Sequence, residues 1–227
     1  MPDTIIEPLH FASPVILVGA SPVQIDDALA ALPSAWPLIA ADGGAKTLLA
    51  LGRMPEAVIG DMDSLSSPVG LADTVKIIAL NSQDDTDFEK CLARVMAPLV
   101  VGLGFLEGRF DHSLAAMHAL MCLDHARPVM LIGGTDVVVR LRGDFQINLP
   151  VGSRFSIWPL GTQSFRHSTG LRWPLDGLTL APGQMIGTSN EVVGPSVSIA
   201  ATPGDGYAVI VPVTALSAVL ATLLAGS

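Results

Sequence analysis

The sequence predicts an α/β N-terminal domain with a mostly parallel sheet, followed by an all-β C-terminal domain, a sandwich or barrel, with the boundary near residue 137. Three observations lead there. From Pro14 to about Gly134, short apolar runs alternate with helix-like stretches, the rhythm of βα units. Each run ends at Gly, Asp, Asn or a polar loop, and in open α/β sheets ligands gather beyond the carboxyl ends of strands. Past Asp136 the texture changes to short segments punctuated by glycine and proline, as in antiparallel β structure.

Taken in order, the candidate parallel strands are residues 15–19, 37–41, 57–60, 75–80, 99–103 and 129–133. A helix-like run with Leu48, Leu49 and Leu51 follows the second of them. In the C-terminal part the strand candidates are residues 137–141, 155–159, 178–180, 196–200 and 207–212. The last stretch, 214–224, reads either as a short helix or as a final apolar strand.

Hydrophobic residues make up 50% of the 227, which excludes a disordered chain, and no apolar run reaches the roughly 18 to 20 residues of a membrane span. Residues 1–10 carry acids and prolines without a basic n-region, so a cytoplasmic location is the expectation. Twelve Lys plus Arg stand against 21 Asp plus Glu, and this acidic balance argues against sequence-independent nucleic-acid binding. An acidic protein that handles phosphates needs metal cations. Cys91 and Cys122, far apart in apolar helical patterns, predict buried thiols rather than a disulfide or metal site.

Four motifs follow predicted strands. The first is Ala41-Asp42-Gly43-Gly44-Ala45. Its glycines let backbone amides approach a phosphate at a helix start, and Asp42 suits a metal or a sugar hydroxyl; a structural turn with Asp42 as helix cap explains it equally well. The second, Gly60-Asp61-Met62-Asp63-Ser64, sets two carboxylates one residue apart in a tight loop, hard oxygen ligands for Mg²⁺, or else a solvated turn. In the third, Gln83-Asp84-Asp85-Thr86-Asp87-Phe88-Glu89-Lys90, Asp87 and Lys90 share a helix face, one for metal and one for phosphate charge. Thr86 or Asp87 is the N-cap there. The fourth, Gly108-Arg109-Phe110-Asp111-His112, offers a guanidinium fork for phosphate oxygens, with Asp111 and His112 to orient it or to contact nucleotide.

Four such loops at strand ends are most simply explained by one metal-dependent phosphoryl or diphosphoryl transfer site, chemistry that needs charge neutralisation and positioning rather than a covalent nucleophile. The chain lacks a G-x-x-x-x-G-K-[ST] loop, and Gly102-Leu103-Gly104 finds its third glycine only at 108, too late for a dinucleotide fingerprint.

In these four motifs, in this order, the chain resembles the thiamine diphosphokinase (thiamine pyrophosphokinase) family. Gly170-Leu171-Arg172-Trp173-Pro174-Leu175 and Thr188-Ser189-Asn190-Glu191 continue the likeness into the β-rich part. The resemblance implies an ATP- and Mg²⁺-binding catalytic domain over residues 1–136, a thiamine-binding β-sandwich over 137–227, and a homodimer with active sites between subunits. It assigns Asp61, Asp63 and Asp87 to metal, and Asp42, Gly43, Gly44, Thr86, Asp87, Lys90, Arg109, Asp111 and His112 to ATP. Gln83, Trp173, Ser189 and Asn190 fall on the thiamine side, with Trp173 stacking on the cationic ring across the dimer; a core tryptophan of the β domain is the other reading of Trp173. Glu107 stands where the family commonly has Gly, and Ala115 or Ala116 where an Asn often follows the Asp-His pair.

The implied reaction is in-line attack of thiamine's primary hydroxyl on the β-phosphorus of ATP, with AMP leaving. Asp61, Asp63, Asp87, Lys90 and Arg109 would carry it, and Asp61 or Asp63 would accept the hydroxyl proton. The competing readings are a diphosphokinase for another hydroxymethyl acceptor such as a pterin, and a nucleotide- or thiamine-binding regulator without turnover.

Overall fold

The computed structural model describes residues 7–20, 25–63, 70–80, 82, 84–106, 108–124 and 127–226. The chain divides into two compact units, Met1–Ala116 and Met117–Ser227.

In the first unit the described strands are β1 (Leu9–His10), β2 (Val15–Val18), β3 (Leu38–Ala41), β4 (Ala57–Gly60), β5 (Lys76–Ala79), β6 (Val95–Met96) and β7 (Val100–Leu103). The helices are α1 (Asp26–Ala30), α2 (Gly44–Ala50), α3 (Asp87–Arg94) and α4 (Phe110–Cys122), the unit boundary falling inside α4. Strands β7, β2, β3, β4 and β5 lie side by side in that order, every pair parallel. Each of β2, β3, β4 and β7 is buried along its whole length. A parallel strand covered on both faces needs a continuous apolar run, which is why these elements are readable in the sequence. The outermost strand, β5, is exposed except at Ile78, and its Lys76 belongs to the charged dressing that keeps an open edge from recruiting another strand. Two-residue β1 and β6 pair with each other; nothing in so short a stretch announces a strand.

The second unit carries β8 (Val129–Ile132), β9 (Asp136–Leu141), β10 (Phe145–Asn148), β11 (Arg154–Pro159), β12 (Gln163–Thr169), β13 (Thr179–Leu180), β14 (Gly187–Glu191), β15 (Ser196–Ala201) and β16 (Tyr207–Pro212). Strand β8 falls on the expected run 129–133. It pairs antiparallel with β9, Met130 opposite Val139, because the three-residue link between them cannot hold the crossover a parallel pair requires. Strands β8, β9, β16, β11 and β14 form one antiparallel set, and β10, β15, β12 and β13 another. The Phe165 ring of β12 meets the Tyr207 ring of β16 edge-on at 5.2 Å between centroids, joining the two sets as a sandwich. Residues 216–225 settle as helix α5 (Leu216–Ala225), after a 3₁₀ turn at Val213–Ala215; a Leu/Ala-rich run favours helix over strand.

Arg140, on β9, is fully buried. It donates to the carbonyls of Leu120, Leu123 and Arg127 at 2.9, 2.6 and 3.4 Å, while Arg142 donates to those of Leu123 and Asp124. Two guanidinium groups thus serve carbonyls at and beyond the end of α4 that have no partner within the helix. Burial pushes the Arg140 guanidinium down to about 10.

Candidate active site

Because β3 and β4 run parallel, the residues that follow them emerge at the same edge of the sheet. Asp42 directly follows β3 and Asp61 directly follows β4, while Asp87 opens α3. The Asp42 amide donates to the Ile59 carbonyl at 2.9 Å, which carries the chain alongside β4. A Cβ on Gly60 would lie 2.6 Å from the Asp42 Cβ, so only glycine lets Asp42 sit there. One carboxylate oxygen from each of Asp42, Asp61 and Asp87 lies within 4.8 Å of the other two. Asp42 is buried and the other two are half-buried.

Lys90, 5% exposed, reaches into this group one helical turn after Asp87. Its Nζ is 3.2 Å from Asp87 Oδ1 and 3.8 Å from Asp61 Oδ2. Like charges this close repel in a partly dry site, and the ammonium offsets part of that repulsion. The Asp87 carboxyl is nevertheless raised above its ordinary 3.8: burial is the largest cause, the Lys90 hydrogen bond and charge oppose it, and Asp42 and Asp61 add to it. A raised folded value means that Asp87 takes up a proton before an ordinary aspartate does as pH falls. Divalent-cation binding should therefore weaken with falling pH already above 3.8, and in Asp87→Asn that limb of the pH profile should move down; calorimetric titration across pH checks this.

Helix α3 is placed by a capping box. Thr86 is the N-cap: its Oγ1 accepts from the Glu89 amide at 3.3 Å, and Glu89 Oε2 accepts from the Thr86 amide at 2.9 Å and from the Thr86 hydroxyl at 2.7 Å. The Thr86 hydroxyl is thus engaged within the helix start. Thr86→Ala should cost about 1 kcal/mol, read by urea denaturation.

Asp63 stands outside the close group. It is exposed, and its amide donates to Asp61 Oδ1 at 3.1 Å across Met62, whose φ of 68° is left-handed. Asp42 shares that uncommon state, with φ of 38°. Backbone strain of this kind, held by surrounding structure, concentrates at functional sites. The structure thus brings Asp42 beside Asp61 and Asp87, where the sequence pattern set Asp63.

Gly43 is the N-cap of the seven-residue α2, and Gly44 has a packing reason of its own: a Cβ there would lie 1.9 Å from the Val18 carbonyl oxygen. Arg109 and Asp111 form a two-pronged pair at the start of α4, Nε to Oδ1 at 3.1 Å and a terminal nitrogen to Oδ2 at 2.5 Å. The pairing raises Arg109 and lowers Asp111, and both stay exposed. His112 enters through its backbone, its amide donating to Asp111 Oδ1 at 3.1 Å. Gln83, Glu107 and Ser64 lie outside the described residues. Cys91 is a buried thiol whose ionisation burial makes harder, as expected; Cys122 is exposed, contrary to the expectation, because it sits near the end of α4.

In the second unit Trp173 is 56% exposed, which removes the core-tryptophan reading. Its backbone is held on both sides by buried Asn190: Oδ1 accepts from the Trp173 amide at 3.1 Å and Nδ2 donates to the Trp173 carbonyl at 2.7 Å. Asn190 Oδ1 also accepts from the Glu191 amide. The Asn190 side chain therefore serves the backbone that presents the indole. Arg172 lies over the Trp173 ring, 5.7 Å from its centroid, and pairs with Glu191 at 3.1 Å. Ser189 is exposed with a left-handed φ of 61°, and its amide donates to the hydroxyl of buried Ser156 at 3.0 Å. Ser156, in the strand run 155–159, carried no signal in the sequence.

Residues 29–131 match the family model "Thiamin pyrophosphokinase, catalytic domain", and residues 144–204 match "Thiamin pyrophosphokinase, vitamin B1 binding domain". Among known proteins, the chain is 29% identical over 172 residues to thiamin pyrophosphokinase 1 of Caenorhabditis elegans, covering 68% of this chain and 70% of that protein. It is 30% identical over 166 residues to thiamine pyrophosphokinase 2 of Oryza sativa subsp. japonica, where the match covers 64% of this chain and 61% of the rice protein. Among solved structures, thiamin pyrophosphokinase from Candida albicans superposes with a TM-score of 0.72 at 18% identity, over 92% of this chain and 95% of that one. Thiamine pyrophosphokinase from Bacillus subtilis gives 0.70 at 19%, over 88% and 98%.

Proposed function

Since the chain belongs to the thiamin pyrophosphokinase family, enzymes that transfer pyrophosphate to thiamine, we propose that it takes the diphosphate from ATP and releases AMP. The observation that supports this most is the group of Asp42, Asp61 and Asp87 with Lys90 among them. Three hard carboxylate oxygens at the ends of parallel strands fit Mg²⁺, which binds through one or two carboxylates and keeps other positions for phosphate oxygens. A bound Mg²⁺ supplies charge neutralisation to the phosphates.

The chain's own residues supply the rest. Lys90 offsets negative charge on the phosphates, and Arg109, its fork held open by Asp111, contacts them from the start of α4. Asp63, outside the close group, accepts the proton of the attacking hydroxyl, with Asp61 as the second candidate. Gly43, Gly44, Thr86 and His112 bound the nucleotide through the loops they shape. On the acceptor side the exposed indole of Trp173 is suited to stacking on the cationic ring, and Gln83, Ser189 and Asn190 are assigned to thiamine with it. We assign residues 1–136 to nucleotide and metal, residues 137–227 to thiamine, and the working form to a cytoplasmic homodimer with active sites at the subunit interface. Among the described residues no helix is long and apolar enough to cross a membrane. The matched vitamin B1 binding domain favours thiamine over a hydroxymethyl pterin, and no observation favours a regulator without turnover.

Incubation with ATP, Mg²⁺ and thiamine should yield AMP and thiamine diphosphate in equal amounts. Release of ADP with thiamine monophosphate would overturn the diphosphoryl step.

A further inference from the structure

Strand β14 departs from a regular ladder in one place. Phe155 of β11 lies opposite Asn190 and Ile157 lies opposite Gly187, so the single residue Ser156 faces two, Thr188 and Ser189. That is a bulge, with one extra residue on β14. Its trace is visible in burial: Thr188 and Ser189 are both exposed in succession, and only then does Asn190 turn inward. The extra residue takes the left-handed state at Ser189, a conformation glycine adopts without strain and serine does not. Something must hold it. The Ser189 amide donates to Ser156 Oγ, and Ser156 is 4% exposed, on a strand flanked by β14 and β16.

The phase of β14 after the bulge decides two things at once. It leaves the Ser189 side chain outward, and it turns Asn190 inward, where its amide group grips the Trp173 backbone by both the amide and the carbonyl. A regular strand would alternate, and a shift of one position would exchange inward for outward residues. Resting on the assignment of Trp173 and Ser189 to the thiamine side, we propose that Ser156 is a positioning residue for thiamine: buried in β11, it fixes the β14 bulge through the Ser189 amide and so sets the presentation of both Ser189 and Trp173.

The test is Ser156→Ala beside Ser156→Thr, which restores the hydroxyl. Loss of the acceptor leaves the Ser189 amide without its buried partner at a strained residue. In Ser156→Ala the KM for thiamine should rise about tenfold, with kcat and the KM for ATP within about twofold of wild type, and Ser156→Thr should recover most of the difference. Amide hydrogen exchange, measured without any substrate, should speed up about tenfold at Ser189 and Trp173 in Ser156→Ala and stay unchanged in β2 and β3. An unchanged KM for thiamine, or a fall in kcat and rise in both KM values together, would overturn the proposal. So would unchanged exchange at both amides. Failure of the wild-type chain to turn thiamine over would instead sink the functional assignment, while the exchange result still decides the role of Ser156 in the bulge.

Discussion

Asp87→Asn should lower thiamine diphosphate formation by about a thousandfold while leaving the fold intact. Asp87 is the residue on which three requirements meet: it contributes one of the three clustered oxygens, it accepts the closest hydrogen bond of Lys90, and it opens the helix that carries Lys90. Removing one preorganised electrostatic contact at a transfer site costs about a hundred- to a thousandfold in rate, and here a proposed metal ligand and the lysine's alignment would be lost together. Stability should move little. Burial raises the Asp87 carboxyl above its ordinary value, so ionised Asp87 costs the folded state something at neutral pH, and a neutral amide of equal size removes that cost as it removes the lysine contact. The measurement is steady-state turnover beside a thermal melt. Activity within tenfold of wild type at an unchanged melting temperature would remove Asp87 from the site; Asp73→Asn, at an exposed carboxylate outside the site, is the control.

Arg140→Met should cost about 3 to 5 kcal/mol in urea denaturation. The methionine has nearly the length of the arginine stem and fills much of its space, so the loss is that of hydrogen bonds rather than of packing. The carbonyls of Leu120, Leu123 and Arg127 would each lose a charged donor, the first in a buried setting and the other two in a part-buried one, where an unsatisfied group costs about 1 to 3 kcal/mol when water cannot reach it. Arg140→Lys should recover little, because one ammonium cannot span carbonyls served by a planar fork. A loss under 1 kcal/mol would mean that water or Arg142 takes over these carbonyls.

The strands that hold the candidate site were legible because their burial is complete. Leu38–Ala41 and Ala57–Gly60 have no solvent face, so they read as unbroken apolar runs, and the residues next in line, Asp42 and Asp61, stood out as the first polar positions after them. Asp87 and Lys90 were legible from helical spacing alone. What hid was set by backbone geometry that side-chain pattern does not encode. The exchange of Asp63 for Asp42 depends on the left-handed turn at Met62 and on the missing side chain at Gly60. Strand β14 has the composition Gly-Thr-Ser-Asn-Glu, with no apolar residue to mark it, and it is a strand because β11 pairs with it. Ser156 is one small residue in an apolar strand, and only its partner gives it meaning.

The ammonium of Lys90 among three carboxylates also bears on how the molecule is made. Proteins whose ligand clusters have no internal counter-charge often wait for their ion before they fold, and a chelator then unfolds them. Here the chain brings its own cation on the same helix as one of the carboxylates, fixed by a local capping box rather than by distant contacts. With magnesium assigned to this site as proposed above, folding should not wait for the ion, because the chain reaches its final shape with the site already charge-balanced in part; thermal melts with and without a chelator should then coincide.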